Sequence, residues 1–239
     1  MSALSLHYHP LSSYCHKVLI AIDALGIEVD KRLLNLGDPA QRAAFLSLWP
    51  TGKMPLLVDQ GKPVPETSII IEYLQRHHAN PGIRGRAPLI PSDPDAALDV
   101  RLWDRVFDAY VMTPMEAHTH DLLRPEGERD ARGVAAARER LLSSYAMLDR
   151  HLEGRSWISG GEDGNSDSFS MADCAAAPSL FYAVAYVPLP SQHTHLAAYF
   201  ELLMAHPSVA RTLDQARPFF NYFPGKAGLQ RRFFDPDAS

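Results

Sequence analysis

The chain has 239 residues, 46% hydrophobic and 21% charged, an ordinary globular balance with room for one large core or two smaller ones. A formal net charge of -5 disfavours nucleic acid as a partner, and no run reaches the roughly 18 apolar residues of a membrane span. The opening MSALSLHYHPLSS lacks a basic region followed by an apolar stretch, and two distant cysteines, Cys15 and Cys174, cannot build a disulfide framework, so a reducing, cytoplasmic setting is expected.

Leu4-Ser5-Leu6-His7-Tyr8 alternates with the period of a strand. In PLSSYCHK, Ser12 and Ser13 are natural N-caps for a helix carrying Val18, Leu19, Ile22 and Leu25, which Gly26 should stop. A second strand is expected at about 28–36, then a helix from Pro39 to about Leu48. The segment WPTGKMPLLVDQGKPVPETSIIIEYLQRHH reads as a loop, a strand at Leu56–Val58, a turn at Gln60-Gly61, a second short strand and a helix from Thr67. At that helix start Thr67 is expected to cap, with Glu66 an acidic residue near a positive helix end. The order β-α-β-α-β-β-α ends in a hairpin.

Pro- and Gly-rich ANPGIRGRAPLIPSDP separates this part from the next, giving an N-terminal domain at 1–80, a linker at 81–93 and a second domain at 94–239. Beyond the linker strand signals vanish. Leu98, Leu102, Val106 and Tyr110 fall four apart, with Trp103 and Phe107 beside them, predicting one long helix over about 94–120. Another is expected over about 133–152, with Val134, Leu141, Tyr145, Leu148 and Leu152 on one face. After the polar SGGEDGNSDS, the run FSMADCAAAPSLFYAVAY predicts a buried central helix, and two shorter helices should cover about 195–205 and 208–216. The fold class is α/β first and all-α second.

This order, with four local segments, resembles the glutathione transferase family over almost the whole chain, and so implies a thioredoxin-like N-terminal domain. SSYCHKV is similar to the active-site segment of the serine-type classes (theta, delta, zeta). WPTGKMPLL resembles the family's loop ending in a cis-proline, PETSIIIEYL its Glu-Ser element, and FSMADCAAAP the capped central helix of its helical domain. The resemblance implies that Ser12, or Ser13 one place along, is the catalytic hydroxyl that activates the thiol of glutathione. It implies that a cis Met54-Pro55 bond lets Met54 pair with the cysteinyl backbone, that Lys53 reaches the glycine carboxylate, and that Glu66 and Thr67 hold the γ-glutamyl end. Tyr110, Met112 and Met115 would then line an apolar pocket for a small hydrophobic electrophile. It further implies a homodimer, consistent with surplus apolar side chains at Ile69, Tyr73 and Trp103.

Other residues receive plainer readings. Tyr8 stands where tyrosine-type classes keep their hydroxyl, but reads first as a strand aromatic. Cys15 matches the second cysteine of a C-x-x-C whose first position is Ser12, which excludes dithiol chemistry. Ser170 and Asp173 form a capping box, a folding device. The pairs His77-His78 and His118-x-His120 lack the spacing of metal ligands on one helix face, so no metal is expected and glutathione enters as co-substrate. The leading function is conjugation of glutathione to an electrophile. A glutathione-dependent isomerase of the maleylacetoacetate type is an alternative, weakened by Tyr14 where those enzymes carry cysteine. A non-catalytic adaptor on the same fold is another, weakened by retention of Lys53, Met54-Pro55, Glu66 and Thr67.

Overall fold

The computed structural model describes residues 4–79, 87–159 and 168–235, and the chain divides into two units, Met1–Ile90 and Pro91–Ser239. In the first unit the strands are β1 (Leu4–Tyr8), β2 (Asp30–Leu33), β3 (Leu56–Asp59) and β4 (Lys62–Val64). They form one sheet in the order β2-β1-β3-β4, with β1 parallel to β2 and antiparallel to β3. Helices α1 (Ser13–Leu25), α2 (Pro39–Leu48) and α3 (Thr67–His77) complete the β-α-β-α-β-β-α order.

Side-chain alternation decides the two faces of the sheet. In the β1–β3 pairing, His7 lies opposite Leu56 and Ser5 opposite Val58, while Leu6 lies opposite Leu57. Leu56 packs with Leu34 and Phe45, against which Leu48, Trp49, Met54 and Val58 also lie, so one face is closed by α2. Helix α1 buries Val18, Leu19, Ile20, Ala21, Ile22 and Leu25, and it ends at Gly26, whose φ of 63 permits the Ile27 N–H to reach the Ile22 carbonyl at 3.0 Å. Strand β2 is shorter than expected. Only four residues pair with β1, and their exposed, charged sequence DKRL marks a sheet edge that resists further pairing. The hairpin turn falls at Gln60 and Gly61, both at positive φ (49 and 84), the twist that a two-residue connection needs.

The expected linker falls partly outside the described residues, at 81–86. At its far end Leu89 and Ile90 are buried, and the Gln75 side chain clamps Ile90 through Nε2 to its carbonyl (2.8 Å) and Oε1 to its N–H (3.0 Å).

The second unit is helical: α4 (Pro94–Val106), α5 (Thr113–Leu123), α6 (Ala131–His151), α7 (Met171–Tyr186), α8 (Thr194–Ala205) and α9 (Pro207–Ala216). The single helix predicted for 94–120 is interrupted by a π turn at Phe107–Met112. Pro114 explains it, because a proline has no N–H to give the carbonyl four residues back. That carbonyl, on Tyr110, instead accepts from the Ser144 hydroxyl of α6 at 2.8 Å, and the Thr113 hydroxyl takes the Asp108 carbonyl at 3.0 Å. The predicted apolar stripe is also corrected. Leu98, Leu102 and Tyr110 are 65%, 55% and 57% exposed, while Val106, Trp103 and Phe107 of that stripe are buried as expected, together with Ala97 and Val100. Trp103 is thus not a surplus surface residue; it lies 3.8 Å from the His151 ring in the helical core.

Helix α7 is the centre, with every residue from Met171 to Ala183 buried. Its capping box is formed as expected: Ser170 Oγ accepts from Ala172 N–H, and Asp173 Oδ2 accepts from Ser170 N–H at 2.8 Å. The polar stretch before it lies outside the described residues at 160–167. After α9 the chain continues in 3-10 turns, and Gly228 lies so close to α7 that a Cβ there would meet the Ala185 carbonyl oxygen at 1.8 Å.

Candidate functional site

Three segments that the sequence singled out converge at one edge of the four-stranded sheet. The loop after β1 leads to Ser12, Met54-Pro55 precedes β3, and Glu66-Thr67 follows β4. The register brings them to the same edge: His7, near the end of β1, pairs with Leu56, the first residue of β3, whose neighbour Leu57 pairs with Val64, the last residue of β4. Helices α1 and α3 both start there, so the positive ends of two helix dipoles lie at one edge, an arrangement suited to anionic groups.

At the start of α1, Ser12 is the N-cap, and its Oγ accepts from the Cys15 N–H at 3.3 Å. Ser12 is half-buried, whereas Ser13, the first helical residue, is 7% exposed. Cys15 is wholly enclosed. Burial pushes its thiol up to about 11, despite hydrogen bonds from the Ser12 hydroxyl and the His9 backbone. The loop before Ser12 is braced by His16, whose Nε2 donates to the Pro10 carbonyl at 2.6 Å and whose burial brings its pKa down to about 4, keeping the ring neutral. His9 Nδ1 accepts from the Leu11 N–H at 3.2 Å. Tyr8 is half-buried, and burial pushes its phenol up, followed by the nearby Cys15.

The Met54-Pro55 bond is cis. Pro55 is buried and Met54 half-buried against the α2-side cluster, while Lys53 projects into solvent. At the start of α3, Glu66 rather than Thr67 occupies the cap position. It does so with φ 69 and ψ 122 and no side-chain cap bond, and Thr67 is the first, buried residue of the helix. The sequence reading missed Lys17. Its ammonium is 3.1 Å from Ser68 Oγ and links α1 to α3 at this edge, although the side chain has 0% exposure. The signal was a lone basic residue four places after Ser13, inside an otherwise apolar helical run.

The remaining candidates belong to the helical unit. Tyr110 is 57% exposed, whereas Met112 and Met115 are enclosed at 0% and 3%. Of the histidines weighed as ligands, His77 lies against the Tyr73 ring, His78 bonds Asp59 Oδ2 at 2.8 Å, and His118 stacks on Tyr186. Among the described residues no group of three or more His, Cys, Asp or Glu side chains is arranged to hold a metal ion, and no helix is long and apolar enough to cross a membrane.

Comparison with known proteins agrees with this geometry. Residues 6–82 match the family model "Glutathione S-transferase, N-terminal domain" and residues 131–202 match "Glutathione S-transferase, C-terminal domain". The chain is 24% identical to a stringent starvation protein A homolog of Coxiella burnetii over 218 residues, covering 90% of this chain and 93% of that one. It is 26% identical to glutathione S-transferase D7 of Drosophila melanogaster over 165 residues, 68% of this chain and 69% of that one. A crystal structure of a glutathione S-transferase from Methylobacillus flagellatus, with glutathione bound, is 29% identical and superimposes with a TM-score of 0.76, covering 87% of this chain and 98% of that one. With a thioredoxin-like sheet opening two helix ends onto one edge and an all-helical second unit, both matched by the family's models, the chain belongs to the glutathione S-transferase family.

Proposed function

We propose that the protein is a glutathione transferase that activates the glutathione thiol with Ser12 and adds it to a small hydrophobic electrophile. The observation that carries this reading is the meeting of the α1 start, Met54-Pro55 and the α3 start at one sheet edge. The Methylobacillus flagellatus structure with bound glutathione supports the choice of ligand.

In this reading the γ-glutamyl carboxylate accepts from backbone N–H groups at the start of α3 and from the Thr67 hydroxyl, while the Glu66 carboxylate pairs with the γ-glutamyl ammonium. The backbone of Met54 pairs with the cysteinyl unit as an added strand, and Lys53 is free to meet the glycine carboxylate. The thiol then lies at the start of α1. There the helix end and the Ser12 hydroxyl favour thiolate, whose sulfur lone pair forms the new bond to the electrophile while the leaving group departs with its bonding pair or, in an addition, the π electrons shift onto the electrophile's own acceptor atom and take up a proton. Ser12 is preferred over Ser13 because Ser13 is 7% exposed and turned into the protein. Of the three electrophile candidates only Tyr110 is exposed, so it is the one proposed to meet the substrate; Met112 and Met115 are enclosed in the helical unit and are not proposed to line the pocket. The protein works as a cytoplasmic homodimer.

Retention on glutathione resin with elution by free glutathione tests the binding half. A panel of aryl halides, isothiocyanates, hydroperoxides, haloalkanes and disulfides tests the chemistry. Passage through the resin without delay would remove the glutathione reading.

A further inference from the structure

One residue of α1 grips the loop that carries Ser12 at two points. His16 lies in the first turn of that helix and is 1% exposed. Its backbone N–H donates to the Ser12 carbonyl at 3.0 Å, and its ring Nε2 lies 2.6 Å from the Pro10 carbonyl. A carbonyl only accepts, so Nε2 carries the proton of the neutral ring. Pro10 is itself buried, and a buried carbonyl stripped of its donor is costly, so the ring bond holds the loop against α1. Proline also fixes its own φ, which leaves little slack between the two gripped carbonyls. Between them the loop closes on itself: the Ser12 N–H donates to the His9 carbonyl at 3.1 Å and the Leu11 N–H to His9 Nδ1 at 3.2 Å. Ser12 then stands as the N-cap at φ -82 and ψ 118, with its Oγ 3.3 Å from the Cys15 N–H. The place of that hydroxyl is set by the backbone that His16 grips.

We infer that His16 is a positioning residue for the thiol-activating hydroxyl: by gripping the Pro10 and Ser12 carbonyls it fixes where Ser12 Oγ stands relative to the glutathione sulfur. A hydrogen bond from hydroxyl to thiolate weakens steeply with distance and angle, so a loop that drifted by about 1 Å would lose much of it. Burial brings the ring's pKa down to about 4, so the brace keeps the same proton throughout the range in which a bound thiol titrates. The inference rests on the reading of Ser12 given above.

Two ligands separate this role from simple packing: glutathione and S-methylglutathione, which has the same backbone and no ionisable thiol. Ultraviolet titration gives the pKa of the bound glutathione thiol, and calorimetry the affinity of each ligand. His16→Leu removes the ring donor, whereas His16→Gln puts an amide N–H near the place of Nε2. His16→Leu should raise the bound thiol's pKa by about one unit, against about two for Ser12→Ala. It should therefore weaken glutathione roughly sevenfold at about pH 8, where the bound form is thiolate, and S-methylglutathione by less than about twofold. His16→Gln should recover most of the shift. His16→Leu added to Ser12→Ala should raise the pKa no further, because the brace acts through the hydroxyl. An unmoved thiol pKa in His16→Leu, a further rise in the double variant, or equal losses for the two ligands would overturn the inference. Should His16→Leu fail to fold, His16→Asn, whose amide is too short to span to Pro10, carries the test with the same outcomes. A wild type that binds no glutathione, or a Ser12→Ala variant with an unmoved thiol, withdraws the functional reading and this inference with it. A thiol that responds to Ser12→Ala and ignores His16→Leu overturns this inference alone.

Discussion

Burial assigns different work to the side chains at the start of α1. Ser12 keeps part of its surface exposed, while Cys15 lies three residues on, wholly enclosed, with its thiol pushed up to about 11. At neutral pH such a thiol is protonated and out of reach, so Cys15 is a packing residue. Both cysteines are at 0% exposure, and native protein should therefore react with no thiol reagent until unfolding releases two equivalents. Cys15→Ala should keep conjugation; its loss in that variant, with Ser12→Ala still active, would reverse the assignment. Glu66 carries the complementary expectation at α3. If Glu66 pairs with the γ-glutamyl ammonium as proposed, Glu66→Gln removes one partner of a charge pair that bound glutathione would cover, and should weaken glutathione by about 2 to 4 kcal/mol in calorimetry. An unchanged dissociation constant would put the γ-glutamyl end elsewhere.

Among the elements, α7 depends on a polar knot at its first turn. Asp173 accepts from Ser170 N–H, Ser170 Oγ, Ile158 N–H and the Tyr199 hydroxyl at 2.8, 2.8, 3.4 and 2.5 Å, although burial pushes its carboxyl up to about 6. Asp173→Ala would strand these donors inside the core and should cost roughly 3 to 5 kcal/mol, read from urea unfolding. A loss under about 1 kcal/mol, that of an exposed cap, would refute that role. A second clamp joins the end of β3 to the end of α3. Asp59 Oδ2 takes hydrogen bonds from the Tyr73 hydroxyl at 2.9 Å and from His78 at 2.8 Å. Burial alone would raise the Asp59 carboxyl, but those bonds and the charge of His78 and His77 bring it below its ordinary value. A carboxylate held below its unfolded value stabilises the fold above that value, and the contribution is lost as pH falls through the folded one. The wild type should lose stability below about pH 4 more steeply than Asp59→Asn. Parallel stability curves for the two proteins would show that the clamp carries no such linkage.

Much at this scale was legible in the sequence and some was not. The capping box, the Gln60-Gly61 turn and the stop at Gly26 follow from local chemistry, and each is formed. The π turn was missed because periodicity cannot register the missing N–H of Pro114 or the Ser144 hydroxyl that answers for it from another helix. The stripe on α4 was read only in part: Val106 and Trp103 are buried as expected but Leu98 and Leu102 are exposed, since apolar residues lie on both sides of that helix and spacing alone does not say which side is covered.

For the whole molecule, the exposed apolar side chains bear on the proposed homodimer. Leu98 and Leu102 stand 65% and 55% exposed in the helical unit and Ile69 55% exposed in the first, whereas Trp103, expected among the surplus apolar residues, belongs to the core. The proposed homodimer would cover exposed apolar side chains of this kind. The protein should run as a dimer in light scattering at micromolar concentration, and Leu102→Glu should shift it toward monomer; a wild-type monomer would refute the assembly. In the site itself, Ser12, Met54, Pro55, Glu66 and Thr67 were legible as local segments, and the sheet register brings those segments to one edge. The hydrogen bond from Lys17 to Ser68 was not, because it spans fifty-one residues and no local pattern encodes it.

The central claim is that Ser12 activates the glutathione thiol. A free thiol has a pKa of about 8.5, and lowering it by roughly two units corresponds to about 2.7 kcal/mol, enough to turn a minor thiolate fraction at neutral pH into most of the population. Because a less basic thiolate is also a weaker nucleophile, alignment of sulfur with electrophile must supply much of the rate. The most direct measurement is ultraviolet titration of the thiolate of bound glutathione in the wild type, Ser12→Ala and Ser13→Ala. The wild type and Ser13→Ala should show the lowered pKa, and Ser12→Ala should bind glutathione with its thiol back near the free value. A clear upward shift in Ser13→Ala with none in Ser12→Ala, or an undepressed thiol in the wild type, would contradict the account.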